Sequence, residues 1–405
     1  MSELENNDHR KIGQELDLFV FSDLVGSGLP MWTPRGTIIR QELDNFVWEL
    51  RSRYDYGRVT IPHITKRDLY ETSGHWEKFG DDLFKIVSRE GKDYALKPMN
   101  CPHHIQIFAR KPHSYREMPQ RYAETTMVYR DEQSGELGGL TRVLSITQDD
   151  SHVFCRTPQI KEEFLKIWDI VDKFYSTFGF SLRVRLSFRD PKTPEKYLGT
   201  SEIWDHAENA LREIAEERKI DYVEGPGEAA LYGPKLDFSA KSAGREWQVA
   251  TIQLDMNLPD RFDLTCVNEE GKKERIVMIH SAITGSIERC TAVLLEHFNG
   301  SLPLWLSPIQ VKVLPIGEAH FEYAKSISEK LKSENIRAEL DDSNESLGKK
   351  VRNAKTEKVP YMFVIGDKEV SENKVTLESR SDEKLGQMSV DGLISKLKIE
   401  ISERK

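Results

Sequence analysis

The sequence predicts an α+β fold over residues 8–300 and a smaller α/β domain over residues 301–405. Three observations carry this. In the first part, strand patterns follow one another with helices inserted among them, the habit of antiparallel sheets. In the last part, strands and helices alternate, which suits a mixed sheet covered by helices. Between them, Ser301-Leu-Pro-Leu-Trp-Leu-Ser-Pro308 places two prolines around a short apolar run, a domain junction.

The elements follow in order. Gly36–Arg51 reads as a helix, with Ile38, Ile39, Leu43, Phe46, Val47 and Leu50 at helical spacing, and Gly57–Pro62 as a strand. An amphipathic core helix is one reading of this pair, a helix–strand dimer interface the other. Ala123–Tyr129 and Arg142–Thr147 flank the Gly-rich segment Asp131–Leu140, a hairpin with a long loop. Pro158–Phe178 and Ser201–Arg218 read as helices, Glu246–Leu254 and Arg275–His280 as strands. Beyond Pro308 the order is Val311–Ile316 strand, Glu318–Asn335 helix, Arg337–Leu340 strand, Glu345–Lys358 helix, and strands at Tyr361–Ile365 and Lys374–Glu378. Ser389 can cap a last helix carrying Leu393, Ile394, Leu397 and Ile401.

Composition narrows the function classes. The chain has 405 residues, 38% hydrophobic and 31% charged, ordinary for a globular protein. No apolar stretch approaches the roughly 20 residues that span a bilayer. The start is polar and acidic, so no secretory signal is expected and a cytoplasmic location is. Four cysteines without CxxC pairing argue against a disulfide scaffold. A net charge of −9 disfavours a protein that coats nucleic acid. The last domain is neutral, but Lys349, Lys350, Arg352, Lys355 and Lys358 form a basic run, a solvated face or a phosphate contact.

Three segments can hold a nucleotide without a GxxxxGK[ST] loop or a GxGxxG turn, both of which are missing. The Gly36–Pro62 pair is the first. The second is the hairpin, with Arg130-Asp-Glu132 at its entry and Arg142 at its exit. Two arginines on adjacent strands can grip a phosphate, or each can simply pair with a nearby carboxylate. The third is Gly285-Ser-Ile-Glu-Arg289, where a glycine at a helix start admits a ligand to backbone N–H groups.

Together these segments have the order of the three signature motifs of class II aminoacyl-tRNA synthetases. The chain then resembles the threonyl-tRNA synthetase family in Lys97-Pro-Met-Asn-Cys-Pro-His-His104, Thr147-Gln-Asp-Asp-Ser-His-Val-Phe-Cys155, Tyr232-Gly-Pro-Lys235, Trp247-Gln248…Thr251-Ile-Gln-Leu-Asp255 and His280…Gly285-Ser286…Glu288-Arg289. Asp8-His-Arg-Lys-Ile-Gly13 is similar to the opening of that family's catalytic domain, and Val359–Val370 to its anticodon-binding domain.

The resemblance implies a class II antiparallel-sheet catalytic domain over 8–300 and an anticodon-binding domain over 301–405. It implies a threonine–tRNA ligase that forms threonyl-adenylate from L-threonine and ATP with Mg²⁺, then charges tRNA(Thr), as a homodimer. One Zn²⁺ per chain would be held by Cys101, His152 and His280. Gaps of 51 and 128 residues between these carry no local spacing signal, so only the resemblance assembles them. Asp150 matches the carboxylate that accepts the threonine hydroxyl proton. Arg130, Arg142, Lys235 and Arg289 are the implied catalytic residues: Arg130 on the α-phosphate, Arg289 on the γ-phosphate, Arg142 orienting the triphosphate. Glu132 would meet the adenine end. Gln148, Tyr232 and Lys235 would face the amino acid or adenylate, and Gln248, Gln253 and Ser286 the nucleotide. Asn344 and Glu369 match anticodon contacts. The sequence departs from the family pattern at Leu144, Ser281 and Glu378. A short form without N-terminal and editing domains is expected, one that forms seryl-tRNA(Thr) without clearing it. A prolyl or seryl enzyme, a non-catalytic synthetase-like paralogue and an accessory anticodon-binding protein are the alternatives.

Overall fold

The computed structural model describes residues 7–242, 244–381 and 384–405; the polar start Met1–Asn6 lies outside them. The chain forms two compact units. One comprises Phe21–Pro30 and Asp44–Cys290; the other joins the segments up to Val20, Met31–Leu43 and Thr291–Lys405.

The first unit is built on an eight-stranded sheet: β1 (Gly57–Arg58), β2 (Gln120–Tyr129), β3 (Ser145–Cys155), β4 (Leu182–Phe188), β5 (Tyr222–Pro226), β6 (Lys235–Ser242), β7 (Arg245–Asp255) and β8 (Val277–Ser286). Their order is β5-β4-β6-β7-β8-β3-β2-β1. All neighbours pair antiparallel except β5 on β4 and β1 on β2. β8 is central and buried from Val277 to Thr284, although His280 and Ser281 interrupt its apolar residues.

The longer helices of this unit are α1 (Pro34–Ser52), partly in it, α2 (Cys101–Ala109), α3 (Ile160–Thr177) and α4 (Ser201–Glu217), with the start of α5 (Ile287–His297); shorter helices span Arg67–Ser73, His75–Phe79 and Asn257–Arg261. α3 buries Ile160, Phe164, Ile167, Trp168, Val171, Phe174 and Tyr175, three or four residues apart, against the sheet. Trp168 packs edge-on to Phe238 at 5.2 Å, and the Tyr175 hydroxyl reaches Val249 O and Ile283 O at 3.0 and 2.8 Å. Phe46 of α1 stacks on Phe174 at 5.2 Å.

The antiparallel α+β expectation holds, with corrections to its elements. The hairpin's second strand starts at Ser145, not Arg142. A turn closes ahead of it, with Thr141 N on Gly138 O at 3.0 Å, and Leu144 N is taken by Gly28 O at 2.8 Å. Arg142 therefore sits in the loop, and Arg130 lies just past β2. Sequence reading also passed over β4, β5 and β6. In β6, Leu236, Phe238 and Ala240 alternate with Lys235, Asp237 and Ser239, and the charges hid a clean period of two.

The second unit holds a five-stranded sheet of β9 (Val311–Pro315), β10 (Ala338–Leu340), β11 (Tyr361–Ile365), β12 (Val375–Ser379) and β13 (Lys384–Met388), in the order β10-β9-β11-β12-β13. β9 runs parallel to β10 and β11, while β12 and β13 are antiparallel, a mixed sheet as expected. Its helices are α6 (Phe321–Ser333), α7 (Leu347–Thr356), α8 (Asp367–Glu372) and α9 (Val390–Glu403). Val311, Val313, Ile327, Leu331, Phe363, Leu377, Leu393 and Leu397 form the core. Ser389 caps α9, accepting Gly392 N at 3.1 Å. No helix among the described residues is long and apolar enough to cross a membrane.

Candidate active site

Directly opposed residues on neighbouring strands share a face of the sheet. One row runs Lys235, Gln253, His280, His152, Tyr122 across β6, β7, β8, β3 and β2. A second, two residues along each strand, runs Asp237, Thr251, Ala282, Asp150, Glu124. This face meets a cavity of about 590 Å³. Its wall includes Arg130, Glu132, Arg142, Gln148, Asp150, Tyr232, Gln248, Gln253, His280, Ser286 and Arg289; Cys101, His152 and Lys235 are not part of the wall.

Cys101 opens α2, and its donor atom and those of His152 and His280 lie within 4.8 Å of one another. The His280 Nε2–H donates to Asp255 Oδ2 at 2.9 Å, which leaves Nδ1 buried without a partner. His152 Nδ1 lies 2.8 Å from His104 Nδ1, and its Nε2 lies 3.9 Å from Asp150 Oδ1. Burial, then the neighbouring His280 and His104, hold His152 well below its usual pKa, so it is a neutral imidazole with a lone pair to give. Burial also pushes the Cys101 thiol well up, with Asp150 and Asp255 adding to it. A thiol, a neutral imidazole and an orphaned imidazole nitrogen converging in a buried place fit a metal that takes sulfur and nitrogen ligands.

Asp150 stands at the edge of this triplet. Asn100 Nδ2 donates to its Oδ2 at 3.0 Å. Burial raises its pKa to about 6, with Asn100 pulling the other way. A second His/carboxylate group, Asp8, His9 and Glu296, occurs in the other unit. There Arg10 Nε grips both Asp8 oxygens, at 3.0 and 3.1 Å, and His9 Nδ1 lies 2.8 Å from Glu296, a self-contained structural cluster.

At the other end of the cavity three guanidinium groups converge. Burial, then Arg142 and Arg130, lower the pKa of Arg289, with Glu132 the carboxylate that opposes them. Arg289 Nε donates to Thr141 O at 3.0 Å, Arg142 Nε to Glu132 at 2.9 Å, and Arg130 Nε is buried without a partner. Arg130 also lies over the Phe79 ring, 5.5 Å from its centroid. Arg142 is paired with Glu136 at 3.1 Å as well as with Glu132, so the more buried guanidinium groups of Arg130 and Arg289 are the ones best placed to meet an anion. Ser286 Oγ accepts Arg289 N at 3.0 Å at the start of α5. Gly285 has φ 69° and a side chain there would meet Val249 O at 3.0 Å, so glycine lets β8 turn into the helix.

Of the other expected residues, Tyr232, Gln148, Gln253 and Gln248 line the cavity and Lys235 does not. The Tyr232 ring is 5.0 Å from His280. Gln148 Oε1 is buried without a partner. Gln253 Nε2 donates to Gly233 O at 3.0 Å, and Lys235 and Gln248 both bond Asp237. Of the departures in this unit, Ser281 turns to the opposite face, where its hydroxyl lies 2.7 Å from Ser151 Oγ, and Leu144 O accepts Arg130 N at 3.0 Å. Sequence reading missed Asn100, His104 and Asp255, all inside blocks it had quoted, and Asp237, whose only signal is the period of two with Lys235.

In the second unit, Asn344 is exposed in the loop before α7. Glu369 caps α8, accepting Gly366 N at 3.2 Å and Thr376 Oγ1 at 2.9 Å, so both its oxygens are engaged. The basic run does not form one face. Lys350 is buried and donates to Pro315 O and Asp341 O, because helical spacing turns it inward from Lys349. Glu378 lies on β12 opposite Met362.

Comparison with known proteins adds the family. The model for the tRNA synthetase class II core domain (G, H, P, S and T) matches residues 84–298, and that for the anticodon binding domain residues 310–400. The chain is 47% identical, over its full length, to threonine–tRNA ligases of Cytophaga hutchinsonii and Porphyromonas gingivalis, and spans 63% and 62% of those relatives' own lengths. The crystal structure of the RNA binding domain of threonyl-tRNA synthetase from Cryptosporidium parvum Iowa II superposes with a TM-score of 0.92 at 40% identity, covering 97% of this chain and 98% of that one. With a class II core, an anticodon-binding module and this identity, the chain belongs to the threonyl-tRNA synthetase family of class II aminoacyl-tRNA synthetases.

Proposed function

We propose that this chain activates L-threonine with ATP and Mg²⁺, giving threonyl-adenylate and pyrophosphate, and transfers the threonyl group to the 3′ end of tRNA(Thr), releasing AMP. The observation that carries the reading is the convergence of Cys101, His152 and His280 beside Asp150, next to a cavity whose other end holds Arg130, Arg142 and Arg289. One Zn²⁺ per chain, held by Cys101, His152 and His280, would offer an open position to the amino and hydroxyl groups of threonine. Asp150, with one protein donor, is free to take the substrate hydroxyl. Valine lacks that hydroxyl, and a site that must pair it rejects such an analogue by about 10⁴-fold or more. Arg130 would hold the α-phosphate, Arg289 the γ-phosphate and Arg142 the triphosphate's orientation. The carboxylate then attacks in line, so positioning and charge stabilisation supply most of the rate. Gln148, Tyr232 and Lys235 would orient the aminoacyl part, and Glu132, Gln248, Gln253 and Ser286 the nucleotide.

The reading assigns residues 8–300 to catalysis and 301–405 to the anticodon, with Asn344 and Glu369 toward its bases. It includes a homodimer on the Gly36–Pro62 segment, supported by β1 being an edge strand with unpaired backbone groups, and action in the cytoplasm. The test is ATP–pyrophosphate exchange with threonine, serine, proline, valine or no amino acid. Threonine-dependent exchange, with none for valine or proline, is expected; exchange driven by proline would replace the assignment.

A further inference from the structure

We propose that Asp237 is a positioning residue: its carboxylate fixes the Gln248 amide in the orientation it presents to the substrate cavity and tethers the Lys235 ammonium to the same point. This rests on reading the cavity as the site of threonine activation. Asp237 is fully buried at the centre of a three-strand patch, opposite Arg185 on β4 and Thr251 on β7. Its Oδ2 accepts the Lys235 ammonium at 2.6 Å and the Ser187 hydroxyl at 2.7 Å. Its Oδ1 accepts the Gln248 amide at 2.7 Å and the Thr251 hydroxyl at 2.9 Å.

A carboxylate offers about four lone-pair sites, and four donors fill them. Asp237 thus has no capacity left for substrate or water, and what it can do is orient its donors. Gln248 shows how. Its Nε2 also lies 3.0 Å from Thr251 Oγ1, whose own proton goes to Asp237, so both amide N–H bonds are spent inside the sheet. The amide can only turn its Oε1, an acceptor, toward the cavity whose wall it forms. Lys235, on the same strand two residues away and outside the residues that form the cavity wall, is tethered at one of its three N–H bonds. A single buried charge thereby fixes one acceptor and one cation.

Asp237→Asn tests this selectively. The asparagine oxygen can keep Gln248 and Thr251, but its NH2 then faces the Lys235 ammonium, donor against donor. The first readout is amine labelling followed by mass spectrometry. Losing the ion pair frees the Lys235 amine from its carboxylate partner, so labelling of Lys235 should rise about tenfold, the scale of one charge-assisted hydrogen bond. Lys97 and Lys350, also buried, should stay protected. Unchanged Lys235 labelling overturns the proposal.

The second readout is threonine-dependent exchange, whose kcat should fall by about 10²-fold, the scale of a misplaced reacting group. In a Lys235→Ala, Gln248→Ala background the same change should cost less than about threefold, because residues that act as one unit are not additive. A full, additive loss there overturns the proposal. Should Lys97 also become labelled, the fold has opened, and Thr251→Val decides. It removes one acceptor of Gln248 without touching the charge, and should raise KM for ATP by about three- to tenfold, the scale of one net hydrogen bond, with Lys235 still protected; an unchanged KM overturns the proposal. Exchange by the unmodified chain tests the reading of the cavity separately, while labelling of Lys235 judges Asp237 alone.

Discussion

Asp149 and Asp150 are neighbours on β3, and they point to opposite faces of the sheet. Both are buried, and burial pushes both carboxyls up. Asp149 accepts Ile283 N at 2.8 Å, Thr284 N and Oγ1 at 2.9 and 2.7 Å, and Arg51 at 3.1 Å, so its charge is spent within the fold. Asp150 has Asn100 on one oxygen and faces the cavity. The alternation continues with Ser151, bonded to Ser281, and His152, which faces Cys101 and His280. One strand thus spends its polar groups within the fold on one side and leaves them for a ligand on the other. The side with unspent donors and acceptors is the one with room for a ligand, since a buried polar group left unpaired costs about 1–3 kcal/mol until something fills it.

The comparison breaks most sharply at Arg51, fully buried on the helix side. Arg51→Ala leaves Asp149 without its cation and should lower unfolding stability by about 3–5 kcal/mol. Urea unfolding followed by circular dichroism checks this, and the fraction that remains folded should bind added Zn²⁺ as the unmodified chain does. On the cavity side the pattern should invert. Arg130→Ala and Arg289→Ala should each lower threonine-dependent exchange by about 10²–10³-fold, the cost of a lost charge-stabilising donor, with an unchanged far-UV spectrum. A stability loss matching that of Arg51→Ala would erase the distinction between the faces.

How much of this was legible in the sequence depends on the range of the interaction. The helix at α3, the cap at Ser389 and the β9-α6-β10-α7-β11 order are local and legible directly. β6 and β13 are not, because charged or glycine-interrupted alternation leaves no apolar run to see. The site itself is a product of register. His152 and His280 lie 128 residues apart yet are directly opposed on β3 and β8. Nothing near either residue announces the other, so the resemblance proposed the set and the sheet brings it together. Asp255, which fixes the His280 ring, closes a block that was read for its glutamines. Arg142 falls in the loop and not on the strand because a turn at Gly138–Thr141 comes first and Leu144 N is taken by Gly28 O, more than a hundred residues away.

Two smaller effects sharpen the comparison further. Asp255→Asn keeps the shape but weakens the hydrogen bond that orients His280, and should lower metal affinity by about 10–100-fold in competition with a chelating dye. Ser151→Ala removes the Ser151–Ser281 bond on the opposite face and should cost about 0.5–1.5 kcal/mol of stability, with metal affinity unmoved.

The cavity side of β3 and β8, with the start of α2, is proposed to form one metal centre. X-ray absorption at the zinc edge, on the chain loaded with one equivalent of Zn²⁺, tests it most directly. The account predicts one sulfur at about 2.3 Å and two imidazole nitrogens at about 2.0–2.1 Å, with the sulfur shell lost in Cys101→Ser. A shell of oxygen and nitrogen alone in the unmodified chain, or a sulfur that survives Cys101→Ser, would contradict it.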